Sequence, residues 1–367
     1  MAQLNSEADL FDNPLGTDGF EFVEFTSPDP RALGRVFEAM GFTAVARHRS
    51  KHVLRYRQGD VDFILNMEPS GQAADFRGQH GPSINAMAFR VRDAALAVRL
   101  ALERGACEVH GAVGPMELNI PAIEGIGGSF LYLVDRYGAR EIYDVDFVAL
   151  EGAAQREGAG SAGLTNIDHL THNVRRGNLD TWAQFYQRVF NFRQIRFFDI
   201  EGQATGLFSK AMTSADGKIR IPLNESRDEH SQIEEFLHDY RGEGIQHVAL
   251  ATDDICATVD RMRAQGVKFQ DTPASYYDVV DTRVPGHGED LARLRERGIL
   301  IDGAPSQGQG LLLQIFTQNL VGPCFFEIIQ RKGNEGFGEG NFKALFESLE
   351  LDQVRRGVLS LDGKHGQ

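Results

Sequence analysis

The chain has 367 residues, 42% of them hydrophobic and 25% charged, with a formal net charge of −14. That length suits two domains with sizeable cores, and the acidic balance argues against nucleic acid or an anionic membrane as partner. No run of about 20 apolar residues is present to span a bilayer, the acidic start MAQLNSEADLFDNP resembles neither a signal nor a transit peptide, and three scattered cysteines (Cys107, Cys256, Cys324) point to a reducing, cytoplasmic setting.

The first predicted elements are a strand in FEFVEFTS and a helix opened by Asp29-Pro30, with Leu33, Val36, Phe37 and Met40 on one stripe and Gly41-Phe42 at its end. Strand-like HVLRYRQGDVDFILNM (52–67) comes next. Residues 84–108 repeat the plan: an apolar strand, an Asp, an amphipathic helix and a stop at Gly105, with GSFLYLVDRYG (128–138) after it. EGAAQREGAGSAG (151–163) reads as a flexible linker. Its GAGSAG run matches a dinucleotide fingerprint, but a polar run precedes it and a strand comes after it, the wrong setting for that motif.

The second half repeats the plan twice more. Strand IDHLTHNV leads to a helix whose stripe is Trp182, Phe185, Tyr186, Val189 and Phe190, ended by Asn191-Phe192. Residues 245–269 give a strand, a helix with Ile255, Val259 and Met262 at helical spacing, and a stop at Gly266. Further helices are predicted at 287–298 and near 341–356, with a strand in LLLQIFTQ (311–318). The expected fold is α+β: four βαβββ modules, paired into two open-barrel domains at 1–155 and 156–367, with a C-terminal lid helix. Pairing covers the sheet edge and apolar face that a single module leaves open.

His169 and His247 occupy equivalent strand positions in modules three and four, and Glu327 lies on the last strand, PCFFEIIQ. The matching first-half positions are Phe22, Ala86 and Asp144, so the first half lacks both imidazoles. Two imidazoles and one carboxylate suit non-haem Fe(II), and the same set suits zinc as a Lewis acid. Alternation puts His169, Thr171 and Asn173 on one strand face and Asp168, Leu170 and His172 on the other, which removes His172 from the ligand set unless a bulge intervenes. Glu327 between apolar neighbours is costly to bury unpaired, and ligation would compensate it. Polar residues cluster nearby: Ser209, Asn224, Gln232, Gln246 and Gln314, the last an amide in a strongly apolar strand. Glycine-rich GFGEGNFKALFESLE (336–350) reads as a hinge that would place Phe337 and Phe342 on a lid.

HLTHN around His169, GIQHVAL around His247, FFEIIQRKG around Glu327 and GFGEGNFKALFES resemble the bacterial type of 4-hydroxyphenylpyruvate dioxygenase. GFEFVEFTSP, HRSKHV, GPMELNIPAIEGIGG and DQVRRGVL extend the resemblance over nearly the whole chain. It implies vicinal-oxygen-chelate modules and one Fe(II) per chain held by His169, His247 and Glu327. The implied substrate is 4-hydroxyphenylpyruvate, its 2-oxo carboxylate chelating the metal, with O₂ as co-substrate. Decarboxylation, ring hydroxylation and side-chain migration would give homogentisate and CO₂, a step of tyrosine and phenylalanine catabolism. The resemblance also implies that Ser209, Asn224, Gln232 and Gln246 surround the substrate and Gln314 lies beside the metal. Phe316 and Phe342 would flank the ring, with Phe325, Phe337 and Asn341 completing pocket and lid. A homo-oligomer, tetramer or dimer, is implied too. The related hydroxymandelate synthase attacks the benzylic carbon instead, and Pro222, Asn224 and Phe342 here match the dioxygenase pattern. Extradiol ring cleavage and metal-free ligand binding are the other readings of such a fold. The first lacks a second acid-base group near the metal; the second requires the ligands to be lost.

Overall fold

The structure is a computed structural model that describes residues 9–201, 206–229, 231–341 and 343–344. All four βαβββ modules are present. The first is Thr17–Thr26, helix Pro30–Ala39, then strands Thr43–His48, Val53–Gln58 and Val61–Asn66. The second is Ser83–Val91, helix Ala94–Glu103, then Glu108–Val109, Ala122–Glu124 and Phe130–Val134. The third is Leu164–Val174, helix Leu179–Phe190, then Arg193–Glu201, Gly206–Thr213 and Arg220–Ser226. The fourth is Gly244–Thr252, helix Ile255–Ala264, then Leu300–Gly303, Leu311–Phe316 and Phe325–Lys332. Three module helices open on an Asp whose carboxylate accepts a backbone N–H in the first turn: Asp29 from Ala32, Asp93 from Leu96 and Asp254 from Ala257.

Modules one and two share a nine-stranded sheet, and modules three and four an eight-stranded one. In each, the first strands of the paired modules meet antiparallel at the centre, and the last strand of each module pairs with its own first strand in parallel. His169 and His247 therefore sit on the two central strands, and Glu327 on the strand beside them. Seven of the eight strands of the second sheet line one cavity with these ligands, so the sheet curls around it.

The two sheets share one apolar core. Phe326 of the second packs on Phe25 and Phe63 of the first, with ring centroids 6.1 and 5.8 Å apart. Phe89 meets Phe190 and Phe192 at 5.4 and 6.0 Å. The reverse face of the Glu327 strand is thus a floor shared by both halves.

The supposed flexible linker is a correction. Residues Ala153–Gly160 form a helix that packs on strand Thr43–His48. The chain from Ala162 to Leu164, just after that helix, is fastened by one buried amide. Gln58 Oε1 accepts the backbone N–H groups of Ala162, Gly163 and Leu164 at 2.6, 3.0 and 3.3 Å, and its Nε2 donates to the Met40 carbonyl. We expect Gln58→Leu to take the shared acceptor away from these N–H groups, of which Gly163 keeps a second partner in the Ser161 hydroxyl, and to cost about 2–3 kcal/mol, read as a lower denaturation midpoint with metal binding retained.

The helix expected at 287–298 runs from Leu291 to Arg297. Gly286 and Gly288 take positive φ before it and Asp290 caps it, so the helix begins only after that turn. The C-terminal helix near 341–356 lies almost wholly outside the described residues. Among the described residues no helix is long and apolar enough to cross a membrane.

Candidate metal centre

Strand alternation alone would put Asp168 and Gln246 on the far faces of their strands. Two bulges change this. Ile167 pairs with Leu250 and His169 with Ala249, which leaves Asp168 as an extra residue; Thr171 pairs with His247 and His172 with Ile245, which leaves Gln246 extra. A bulge re-aims its side chains, and each bulged residue holds the imidazole next after it in the chain. His169 Nδ1 donates to Asp168 Oδ1 at 2.8 Å, and His247 Nδ1 donates to Gln246 Oε1 at 3.0 Å. With both Nδ1 atoms used as donors, the Nε2 atoms carry lone pairs.

Those lone pairs face one carboxylate. His169 Nε2 lies 3.2 Å and His247 Nε2 3.4 Å from Glu327 Oε2. All three side chains are buried, at 2%, 5% and 2% exposure for His169, His247 and Glu327. One ligand atom from each lies within 4.8 Å of the others, and Glu327 Oε1 is buried with no hydrogen-bond partner. Three acceptors pointing at one another inside a protein repel unless positive charge lies among them. The donor set therefore fits a divalent cation with open positions. The electrostatics agree. Burial alone would lower His169, but the Glu327 and Asp168 carboxylates outweigh it and raise its pKa. Burial would raise Glu327, yet the two imidazoles pull it below the usual carboxylate range. His247 is lowered, chiefly by burial.

His172 belongs to the core, as alternation predicts. It is fully buried, its Nε2 lies 2.7 Å from the Tyr186 hydroxyl, and burial pushes its pKa down to about 3.

Behind the ligands, Asp168 joins His169 to the segment that carries Phe337. Arg331 donates to both Asp168 oxygens, Nε at 2.7 Å and Nη2 at 2.8 Å. Arg331 Nη1 also donates to the Asn334 and Gly336 carbonyls at 2.9 and 2.7 Å. Burial would raise the Asp168 carboxyl, and Arg331 and His169 more than reverse this and hold it well below the usual range.

About 40 Å³ of open space lies between these ligands and the opposite strands. Ser209, Asn224, Gln314, Phe316 and Phe337 line it, as do Thr171, Pro222, Phe198, Leu207 and Glu339. Sequence reasoning misses Phe198, Leu207 and Glu339, although Leu207 shares the Ser209 face by simple alternation. Ser209 and Asn224 are directly paired across neighbouring strands. Phe325 stacks on His247 with centroids 4.8 Å apart, and Phe337 meets His169 edge-on at 5.4 Å.

Four expected pocket residues are not in the cavity lining: Phe325, which stacks on His247, and Gln232, Gln246 and Asn341. Gln232 is exposed at the first position of helix Gln232–Tyr240 and does not line the cavity. Gln246 acts through His247. Asn341 is buried behind Gln314: its Oδ1 accepts from Arg283 at 3.3 Å, and its Nδ2 donates to Gln314 Oε1 at 3.1 Å. Arg is donor-only, so this chain orients both amides and leaves Gln314 Nε2–H as the free donor on the cavity side. Phe342 lies outside the described residues. The first-half counterpart of Glu327 also needs correcting. By register it is Tyr132, because Ala88 pairs with Tyr132 as Ala249 pairs with Glu327; Asp144 belongs to the short helix Tyr143–Asp146 beyond that strand.

Gly338 adopts φ +78°, and a Cβ there would meet Gln314 Oε1 at 1.8 Å. Left-handed backbone costs a non-glycine residue about 1–2 kcal/mol, before the amide is displaced. We expect Gly338→Ala to lower kcat/KM by about tenfold or more, measured at fixed iron content so that metal loss is excluded.

The comparisons agree with this arrangement. Residues 11–148 match the model for the N-terminal domain of hydroxyphenylpyruvate dioxygenase, and residues 166–279 match the glyoxalase/bleomycin resistance protein/dioxygenase superfamily. The chain is 61% identical to 4-hydroxyphenylpyruvate dioxygenase of Pseudomonas aeruginosa, over 95% of this chain and 97% of that protein. It is 62% identical to hemolysin VllY of Vibrio vulnificus, over 95% of this chain and 98% of that protein. Among solved structures it is similar to an engineered variant of 4-hydroxymandelate synthase from Streptomyces coelicolor, with TM-score 0.79 and 27% identity, covering 92% of this chain and 99% of the other. A shared curled sheet, the converging ligand set and near full-length identity lead to one assignment: the chain belongs to the 4-hydroxyphenylpyruvate dioxygenase family.

Proposed function

We propose that this chain converts 4-hydroxyphenylpyruvate and O₂ to homogentisate and CO₂ at an Fe(II) held by His169, His247 and Glu327. The observation that carries the reading is the convergence of both Nε2 lone pairs on the buried Glu327 carboxylate. Fe(II) bound there would supply chelation of the 2-oxo acid and activation of O₂.

The remaining work falls to the chain's own residues. Asp168 and Gln246 fix both imidazoles in the tautomer that leaves Nε2 free. Two neutral imidazoles and one carboxylate leave a ferrous site about +1, which draws an anionic oxo acid into a protein of net charge −14. Gln314 Nε2–H is positioned to donate to the substrate's carboxylate end. Ser209 and Asn224, on strands across the cavity, take the ring hydroxyl. Phe198, Phe316 and Phe337 give the ring apolar walls and exclude water, the usual form of a small-molecule site. Pro222 and Asn224 in the lining support attack on the ring rather than on the benzylic carbon. The first domain, without metal ligands, serves as a structural partner. Ile195 and Phe197, 42% and 50% exposed on the outer strand Arg193–Glu201, support a homo-oligomer.

Iron-loaded protein given 4-hydroxyphenylpyruvate should consume O₂ and release CO₂ in equal amounts. Iron-bound protein that consumes the oxo acid without releasing CO₂ would contradict the oxo-acid chemistry.

A further inference from the structure

The first sheet repeats the second position by position, bulges included: Glu21 and Asn85 are extra where the second has Asp168 and Gln246. Register aligns Phe22 with His169, Ala86 with His247 and Tyr132 with Glu327. It also aligns Glu24 with Thr171, Asn66 with Asn224 and Val53 with Ser209. The metal ligands have no counterparts here, but the equivalent cup is not filled. A cavity of about 130 Å³ lies there, walled by Phe22, Val53, Ile64, Ile120, Tyr132 and Phe147. A dry cavity of about 150 Å³ is known to take one benzene ring.

The cup holds a buried polar anchor. Glu24 is 7% exposed and lines the cavity. Asn66 and Asn85 both donate to its Oε1, at 2.9 and 2.6 Å. Neither its Oε2 nor the Tyr132 hydroxyl has a hydrogen-bond partner among the described residues. His48, also in the lining, accepts the Ser50 and Lys51 backbone N–H groups on Nδ1, so its ring hydrogen is on Nε2. The second oxygen of Glu24 is therefore left for a donor inside the cavity, whose lining mixes apolar walls with Asn66, Asn119, His48 and Lys51. In the second sheet a threonine stands at that place. Burial pushes the Glu24 carboxyl up, and Lys51 lies in the same lining, so a neutral donor suits the site better than a cation.

We infer that the first domain binds a small phenol-like molecule, its ring against Phe22 and Tyr132 and its hydroxyl donating to Glu24 Oε2. This cup is separate from the metal centre, and its occupancy does not depend on the reaction proposed there.

The test is fluorine NMR of 4-fluorophenol titrated into the full-length, iron-loaded protein. Binding should survive Ser209→Phe, which blocks the cavity at the metal. It should weaken at least about tenfold in Val53→Phe, which fills the first-domain cup and leaves turnover unchanged. Ile64→Phe fills the same cup from the neighbouring strand should Val53→Phe not fold. In the unmodified protein, 4-fluorotoluene, which lacks the hydroxyl, should bind about tenfold more weakly. No binding at millimolar 4-fluorophenol would overturn the inference. So would binding abolished by Ser209→Phe, binding unchanged by filling the cup, or equal binding of the two probes.

Discussion

Glu327→Ala should abolish turnover and iron retention together, whereas His172→Ala should leave both nearly unchanged and lower stability instead. Glu327 supplies the only anionic oxygen of the ligand set, and both Nε2 atoms point at it. Without it the site keeps two neutral donors. The loss of iron affinity should then exceed the roughly 10–100-fold expected when only a ligand's hydrogen-bond partner is removed. His172 lies three residues from His169 but inside the core against Tyr186. Its removal leaves a cavity and an unpaired hydroxyl, at a cost of about 2–4 kcal/mol. A pH titration separates its role further. Its pKa is depressed from 6.5 in the unfolded chain to about 3 in the fold, so its contribution is fully present above about 6.5 and is lost as pH falls toward 3. Wild-type stability should fall across that window, and His172→Ala should lack that component. Equal loss of activity from both variants would mean that the two faces of the strand are assigned wrongly.

Asp168→Asn is the second large effect. One carboxylate serves His169 through Oδ1 and Arg331 through both oxygens, and Arg331 in turn holds the segment leading to Phe337. An asparagine oxygen can accept from only part of this set. The Arg331 guanidinium then stays largely buried without its counter-charge, which typically costs about 3–5 kcal/mol. His169 also loses the anionic acceptor that fixes its tautomer, so iron affinity should fall about 10–100-fold. Denaturation midpoint and Fe(II) titration should therefore move together. A variant that binds iron like the wild type, with an unshifted midpoint, would remove Asp168 from the centre.

The features legible in the sequence are those set by strict periodicity. Four strand-helix repeats and their stops, glycine in three and Asn191 in the third, locate the modules, and repeat position together with alternation selects His169, His247 and Glu327 while discarding His172. The features that escape it depend on departures from periodicity. The Asp168 and Gln246 bulges insert one residue each, which is invisible without the partner strand. Tyr132 is hidden as the Glu327 counterpart because the short strand Phe130–Val134 leads on to a helix carrying an acidic residue, Asp144. The linker's alanines form a helix because strand Thr43–His48 offers a surface to pack on, which local composition does not encode. Gln232 sits beside a polar cluster in sequence, yet its helix turns the side chain outward. Asn341 bears on the site only through Gln314, a relation set by the tertiary contact of the last described segment with strand Leu311–Phe316.

The measurement closest to the central claim is product identification. Iron-loaded protein should be incubated with 4-hydroxyphenylpyruvate in air and its products separated by chromatography. Homogentisate as the main aromatic product is the predicted result. 4-Hydroxymandelate in its place would contradict ring attack, and neither product from iron-bound protein would contradict the assignment of substrate and reaction to this site.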